Sequence, residues 1–146
     1  MIERLRSNAG QSLIEFSLVC VMLCLIMLGV LETGRLVLVY TTVANAARAG
    51  ARYATVHGSS RSAGAALTNA SGPAANPAQV LTVIKNFASA GPLTPSRLVI
   101  TVSYSGASNA PGQLVTVNVV YPYDPLTTYL PWTVRLGSTT QGVITY

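Results

Sequence analysis

The sequence predicts an α+β protein: a long N-terminal helix, membrane-spanning in its first half, followed by a small domain with a short helix and an antiparallel sheet of three to four strands. Three observations predict this class: an apolar excess near the start of the chain, a proline-free segment with helical spacing, and alternating valine-rich segments in the second half. Half of the residues are hydrophobic and only 9% are charged. Because an ordinary soluble domain has about 25% charged residues, part of this chain is expected to lie in a membrane.

The apolar excess lies between residues 12 and 31, SLIEFSLVCVMLCLIMLGVL, with a single charge at Glu15. About 20 apolar residues suffice to cross a hydrocarbon core, so this segment predicts one transmembrane helix. The preceding residues 1–10, MIERLRSNAG, contain Arg4 and Arg6 and favour an orientation with the N-terminus inside.

The helix is predicted to continue beyond the membrane, over residues 11–57, because no proline interrupts this stretch. Apolar residues recur there at steps of three and four, which predicts a stripe that packs against a domain or another helix. Between residues 44 and 54, alanine and glycine permit close approach of another backbone, as in a filament core, although alanine also simply favours helix. The stripe comprises Leu36, Val39, Tyr40, Val43, Ala47, Ala51 and Ala54.

Glu15 is the most informative residue, because a carboxylate near the start of an apolar helix costs about 2.5 to 3.5 kcal/mol on insertion scales. It is the fifth residue after Gly10. If the chain were cut after Gly10, the new ammonium group at Gln11 could pair with Glu15 of a neighbouring subunit, and two isolated charges would become one ion pair.

The segment from Gly10 to His57 resembles the TadE-like pseudopilins of tight-adherence (Tad) pilus systems, a branch of the type IV filament proteins. The resemblance rests on Gly10-Gln11 with Glu15, on the Glu32-x-Gly34-Arg35 segment, and on the alanine-rich block NAARAGARYA at residues 45–54. It implies a pilin-like fold and a structural subunit that assembles into, or primes, a type IV or Tad pilus for surface adherence.

The resemblance also implies a prepilin leader, residues 1–10, that a prepilin peptidase removes after Gly10. The expected partners are that peptidase, other pilin-like subunits in a homo- or hetero-oligomer, the assembly platform and inner-membrane lipid. The N-terminus would be cytoplasmic and the C-terminal domain periplasmic, with the bacterial inner membrane and the extracellular pilus as locations. The residues expected to act in subunit assembly are Glu15, Glu32, Arg35, Arg48 and Arg52.

Arg48 and Arg52 lie one turn apart on one helix face, where like charges mildly repel. They are expected to meet carboxylates or phosphates elsewhere, Glu32 of an adjacent subunit being one candidate. An exposed arginine face in contact with solvent is the alternative.

Beyond the helix, residues 58–77 are rich in Gly, Ser, Ala and Pro and predict a loop. Residues 78–146 are expected to form the small domain. Asn76 can cap a helix with Pro77 at its first position, and the apolar residues that follow predict one buried face. That face comprises Val80, Leu81, Ile84, Phe87 and Ala88.

Strands are predicted at 98–104 and 115–121, joined through the turn Asn109-Ala110-Pro111-Gly112 as an antiparallel pair. A third strand is expected at 132–136 and a fourth at 143–146. Between them, YPYDPLTTYLP is interpreted as a loop. Its aromatic side chains are expected to pack inward, since buried aromatics dominate small cores, and a contact surface is the alternative.

The side chains give little support to an enzyme, a cofactor or a small-molecule substrate. The two cysteines, Cys20 and Cys24, fall within the apolar segment, and the single histidine, His57, has no acid or cysteine near it in sequence. The net charge of +5 comes from scattered cations, so no nucleic-acid partner is expected. Two alternatives stay open: a permanently anchored envelope binding module with an uncleaved leader, and a secreted domain released near Ala46.

Overall fold

The computed structural model describes residues 3–59, 77–106, 109–126 and 133–145, with the backbone alone at residues 3–9. The chain divides into two compact units, one ending at Arg35 and the other beginning at Leu36. The elements are α1 (Glu3–Val56), α2 (Ala78–Ser89), a short 3-10 turn (Pro95–Arg97), β1 (Val99–Tyr104), β2 (Leu114–Tyr123) and β3 (Val134–Val143).

Helix α1 begins at Glu3, eight residues before the start that the sequence predicts at residue 11. The expected leader is therefore helical from Glu3 onward in the uncut chain. The physical reason is that neither proline nor any other strong helix breaker lies between Glu3 and Gly10. Its end at Val56 is one residue before the expected boundary.

In the first unit, every described side chain from Gly10 to Leu31 is exposed. The large apolar side chains between Leu13 and Leu31 are 50–73% exposed. By length and composition, the helix from Gly10 to Val56 is long and apolar enough to cross a membrane. The long apolar helix that the sequence predicts is thus confirmed, and it is compatible with a single-pass membrane anchor.

The second unit contains a three-stranded antiparallel sheet in the order β1-β2-β3. Alternate residues of β2 face the core, as the valine spacing predicts: Val115, Val117 and Val119 are fully buried, with Tyr121 and Tyr123 following on the same face. The turn before β2 is confirmed as well, since Gly112 adopts a φ of 85° and the Gln113 amide donates to the Ala110 carbonyl.

The core of this unit forms between the sheet, α2 and the second part of α1. The predicted stripe on α1 is buried at Val39, Val43, Ala47, Ala51 and Ala54. Leu36 is half-buried and Tyr40 is 48% exposed, so the prediction is wrong for Tyr40. Val39, which lies between them, is buried, so the domain covers only one side of the helix at this level.

Helix α2 follows Pro77 and buries Val80, Ile84 and Ala88, which confirms the predicted apolar face over those residues. Leu81 is half-buried and Phe87 is 42% exposed, so they lie at its margin. The predicted cap at Asn76 lies outside the described residues, as does nearly all of the expected loop at 58–77.

Strand β3 corrects the prediction of separate strands at 132–136 and 143–146, because one strand of ten residues spans Val134–Val143. Trp132 and Tyr146 lie outside the described residues. β2 likewise extends through Pro122 into the segment expected to be a loop. Proline has no N–H to donate to a neighbouring strand. It is tolerated at Pro122 because the pairing of β2 with β1 ends at Val120, opposite Val99, so Pro122 has no β1 residue beside it.

Candidate functional site

The expected cleavage residues lie on the exposed surface of α1. Gly10 and Gln11 are both exposed, and a side chain placed on Gly10 would have no heavy atom within 4 Å. Gln11 and Glu15 are four residues apart and therefore lie on the same face of the helix. The backbone around Gly10 is thus sterically open, although it is helical in the uncut chain.

Glu15 is exposed on the same unit, and its sequence neighbours Ile14 and Phe16 are exposed apolar side chains. Hydroxyl groups in this stretch are bonded within the helix: Ser17 Oγ donates to the Leu13 carbonyl and Thr33 Oγ1 donates to the Gly29 carbonyl, each at 2.8 Å. Such local bonds satisfy polar groups without water, as a lipid environment requires. A mostly apolar strip on the surface of this unit is lined by Leu13, Ile14, Ser17, Leu18, Val21, Met22 and Leu25.

Glu32 and Arg35 lie one turn apart near the end of the first unit. Glu32 is half-buried and Arg35 is exposed, and neither is without an interaction partner. Together they end the long uncharged stretch that follows Glu15.

Arg48 and Arg52 lie on the exposed side of α1 in the second unit. Arg48 Nη1 donates to Asn45 Oδ1 at 3.0 Å, which holds one guanidinium against the helix. Among the described residues, neither arginine forms a salt bridge. The structure thus places both cations outward, and their expected acidic or phosphate partner stays a prediction.

The alanine-rich block makes its close contacts within the chain. Ala46, Ala47, Ala51 and Ala54 are buried, and a side chain added at Gly50 would lie 2.5 Å from the Cγ1 and Cδ1 atoms of Ile84. The close backbone approach that the sequence predicts is therefore made by α2 and the sheet. This face of α1 is occupied by the domain's own core and is not available to a neighbouring helix.

His57 has a structural position at the end of α1. Its ring is 4% exposed and stacks on Tyr53 at a centroid distance of 3.9 Å, and its Nδ1–H donates to the Tyr53 carbonyl at 2.8 Å. The four-residue spacing of Tyr53 and His57 was a signal for this stacking that sequence reasoning did not use.

One contact had no sequence signal, because its partners are 27 residues apart: Arg97 Nη2 and Asp124 Oδ2 form a salt bridge of 2.6 Å on the surface. The Arg97 guanidinium also lies 5.6 Å from the centre of the Tyr121 ring. Both partners of the bridge are substantially exposed, so the pair contributes little to stability.

Comparison with known proteins shows a similarity in the first part of the chain. No curated protein and no solved structure matches the sequence. Residues 10–52 match the family of TadE-like proteins, a match that begins at Gly10 and includes Glu15, Glu32, Arg35, Arg48 and Arg52. This family suggests a pilin-like, structural protein associated with the Tad pilus and with other pilins. The match covers 43 of the 146 residues, and this part of the chain is similar to TadE-like proteins.

Proposed function

We propose that this chain is a pilin-like subunit that inserts into the inner membrane, loses residues 1–10 to a prepilin peptidase and then assembles into, or primes, a Tad-type pilus. The observation that carries the proposal is the contrast between the two parts of α1. Its second part is buried in the domain core, whereas the large apolar side chains from Leu13 to Leu31 are 50–73% exposed.

An exposed surface of this kind is unfavourable in water, at about 25 cal/mol for each Å² of apolar area. Lipid chains remove that cost, and so do the apolar helices of neighbouring subunits in a filament core. The same stretch of α1 can therefore lie in a bilayer before assembly and among other helices afterwards.

Glu15 favours the second environment. In lipid its carboxylate lacks a counter-charge, whereas in a filament the free ammonium group of Gln11 from a neighbouring, processed subunit can supply one. The proposal thus gives the residue opposite effects at two stages: it opposes insertion and supports association.

Arg48 and Arg52, which are exposed on α1, are proposed to take part in assembly in the second unit. For Glu32 of one subunit to meet Arg48 or Arg52 of another along parallel helices, the helices must be offset by 16 to 20 residues, about 24 to 30 Å. A charge-reversal pair tests the contact: Glu32→Arg alone is expected to weaken association, and Arg48→Glu with Arg52→Glu in the same chain is expected to restore it.

The main experiment compares Glu15→Gln with Ser17→Ala, an exposed neighbour on the same helix that serves as the matched control. Membrane insertion is measured by resistance to alkaline extraction, and association by the yield of pili and by co-purification with other pilin subunits. We expect Glu15→Gln to insert as well as the native chain and to lose most association, while Ser17→Ala keeps both. Unchanged pilus yield in Glu15→Gln would refute the role given to Glu15.

A second function is favoured by one observation: residues from Leu36 onward form a compact unit with its own core. Such a unit can serve as an envelope binding module on a permanent anchor. In that case Gly10→Ala, which is expected to block processing of a pilin, would change neither the size of the mature protein nor its function.

A further inference from the structure

Strand β3 forms one edge of the sheet and is poorly protected against pairing with another strand. It is ten residues long, contains no proline, and carries one charged residue, Arg135. Natural edge strands are usually shortened, or blocked by charges, prolines or bulges. A long, almost uncharged edge strand is a template for strand addition.

In the part of the chain that the structure describes, β2 is the only strand that pairs with β3. No hydrogen bond other than this ladder involves residues 134–143 there. Along the strand, alternate positions are exposed on the face away from the core, including Gly137, Thr139, Gln141 and Val143. Nothing in the described ranges therefore covers this edge.

We propose that β3 pairs antiparallel with β3 of a second copy of this chain, so that two three-stranded sheets join into one. A two-fold axis perpendicular to the sheet places the core faces of both copies on the same side of the joined sheet. Residues that lie opposite each other across the two β3 strands must then belong to the same face of the strand. Pairing centred on Thr139 meets this requirement. It places Thr139 opposite its own copy and Gly137 opposite Gln141.

A second copy can occupy this edge because pairing of the strand with itself brings no like charges together. In the pairing centred on Thr139, Arg135 lies opposite Val143, and the two arginines stand about 27 Å apart along the strands. A threonine pair at the centre is a favourable cross-strand combination. The two-fold arrangement thus creates no direct contact between like charges.

The net positive charge of the chain opposes this association and makes it dependent on salt concentration. From Leu36 to the end the sequence has six Lys or Arg residues and one acid, so two copies repel at long range. Salt screens that repulsion and leaves backbone hydrogen bonds intact. Dimer formation through β3 should therefore increase with ionic strength. Binding of an acidic partner peptide to the same edge would instead decrease with ionic strength.

The direct test uses the full chain in membranes, with Cys20→Ala and Cys24→Ala to remove the native thiols, and Thr139→Cys added. Facing residues of an antiparallel pair have Cα atoms about 4.5–5.5 Å apart, within the range of a disulfide. We expect mild oxidation to convert most of this variant to a disulfide dimer, and more of it at high salt. The matched control is Asn118→Cys, on the exposed face of β2 directly beside Thr139.

Equal cross-linking of the Thr139→Cys and Asn118→Cys chains would overturn the proposal. The register has its own test: a mixture of Gly137→Cys and Gln141→Cys chains should give mixed dimers, and preferential dimers of like chains would contradict pairing about Thr139. Thr139→Lys places two ammonium groups face to face and should reduce native dimers at least tenfold. Because Thr139 is exposed, the Thr139→Lys chain should keep the native fold, which circular dichroism measures.

Discussion

Gly50 shows at the residue scale how a missing side chain sets the distance between two elements. It lies under α2, where a Cβ would approach two Ile84 carbons to 2.5 Å and Val117 Cγ1 to 3.6 Å. The alanine-rich composition of this block predicts tight packing, but composition cannot say what packs there. The answer depends on α2, which is about 30 residues further along the chain.

We expect Gly50→Ala to lower the free energy of unfolding by about 1 to 3 kcal/mol, because the added methyl group overpacks the core. The measurement is chemical unfolding of the full chain in detergent, followed by near-ultraviolet circular dichroism. Adding Ile84→Val in the same chain should recover part of the loss. The matched control is Gly34→Ala, where a Cβ has no heavy atom within 4 Å; an equal loss there would argue against overpacking as the cause.

Tyr104 provides a second test at this scale. Burial raises the pKa of its hydroxyl above the ordinary value of 10.0. The unfolded chain therefore ionises first, so stability that is complete below pH 10 should be lost as pH rises through the folded pKa. We expect Tyr104→Phe to unfold at higher pH than the native chain in an alkaline titration. The same midpoint in both chains would contradict this.

The Tyr104 hydroxyl has no hydrogen-bond partner among the described residues. Its removal should therefore leave stability near neutral pH unchanged or slightly higher, since a buried polar group without a partner is unfavourable. The sequence predicts that this residue lies in a strand, and that is confirmed. It does not predict the burial of the hydroxyl, which depends on which elements cover the sheet.

At the scale of elements, a contact between the end of α1 and Thr145 joins parts of the second unit that are 90 residues apart in sequence. Thr145 donates to the Thr55 carbonyl twice, from its amide at 2.9 Å and from its hydroxyl at 3.1 Å. A helix leaves its last four carbonyls without helical partners, and this contact satisfies one of them. A Cβ at Gly142 would also lie 2.5 Å from Thr55 Cγ2.

Thr145→Ala should lower the free energy of unfolding by about 0.5 to 1.5 kcal/mol, because one hydrogen bond to the helix end is lost. The backbone bond remains, so the fold should be retained. Thr101→Ala, on the exposed face of β1, is the control and should change stability by less. A loss at Thr101 as large as at Thr145 would show that the helix-end contact is not the cause.

The elements also show which parts of the fold a sequence pattern can predict. Helix α2 and strands β1 and β2 are predictable because their apolar residues follow one period from end to end. β3 is not, since Gly137 and Gly142 interrupt the pattern and leave two short apolar ends that look like separate strands. Only its pairing with β2, from Leu114 with Val143 to Tyr123 with Val134, joins them.

At the scale of the whole molecule, the two units are expected to behave independently of each other. The core beginning at Leu36 contains nineteen buried apolar residues, from Val39 to Ile144, and none of them lies in the first unit. A chain that starts at Leu36 should therefore be water-soluble and unfold cooperatively, whereas the full chain should remain in the membrane fraction. Aggregation of the shorter chain without a cooperative transition would contradict this independence.

The candidate site, too, can be predicted from the sequence only in part. The sequence predicts Glu15 and the cleavage residues because they stand out against an apolar background, and it predicts the exposed arginines of α1 from their spacing. It cannot predict which faces of α1 remain available to partners, because that depends on the coverage of the alanine-rich face by α2 and the sheet. If the proposed function is right, α1 is expected to make its assembly contacts through the first unit and the outward arginine face.

The central claim is that this chain is a processed pilin-like subunit, and the most direct measurement is the intact mass of the protein isolated from membranes, with and without Gly10→Ala. We predict a native chain that has lost residues 1–10 and begins at Gln11, and a Gly10→Ala chain that retains them. A native chain of full-length mass would contradict the claim and support a permanent anchor. Loss of about 46 residues would instead indicate a domain released by signal peptidase.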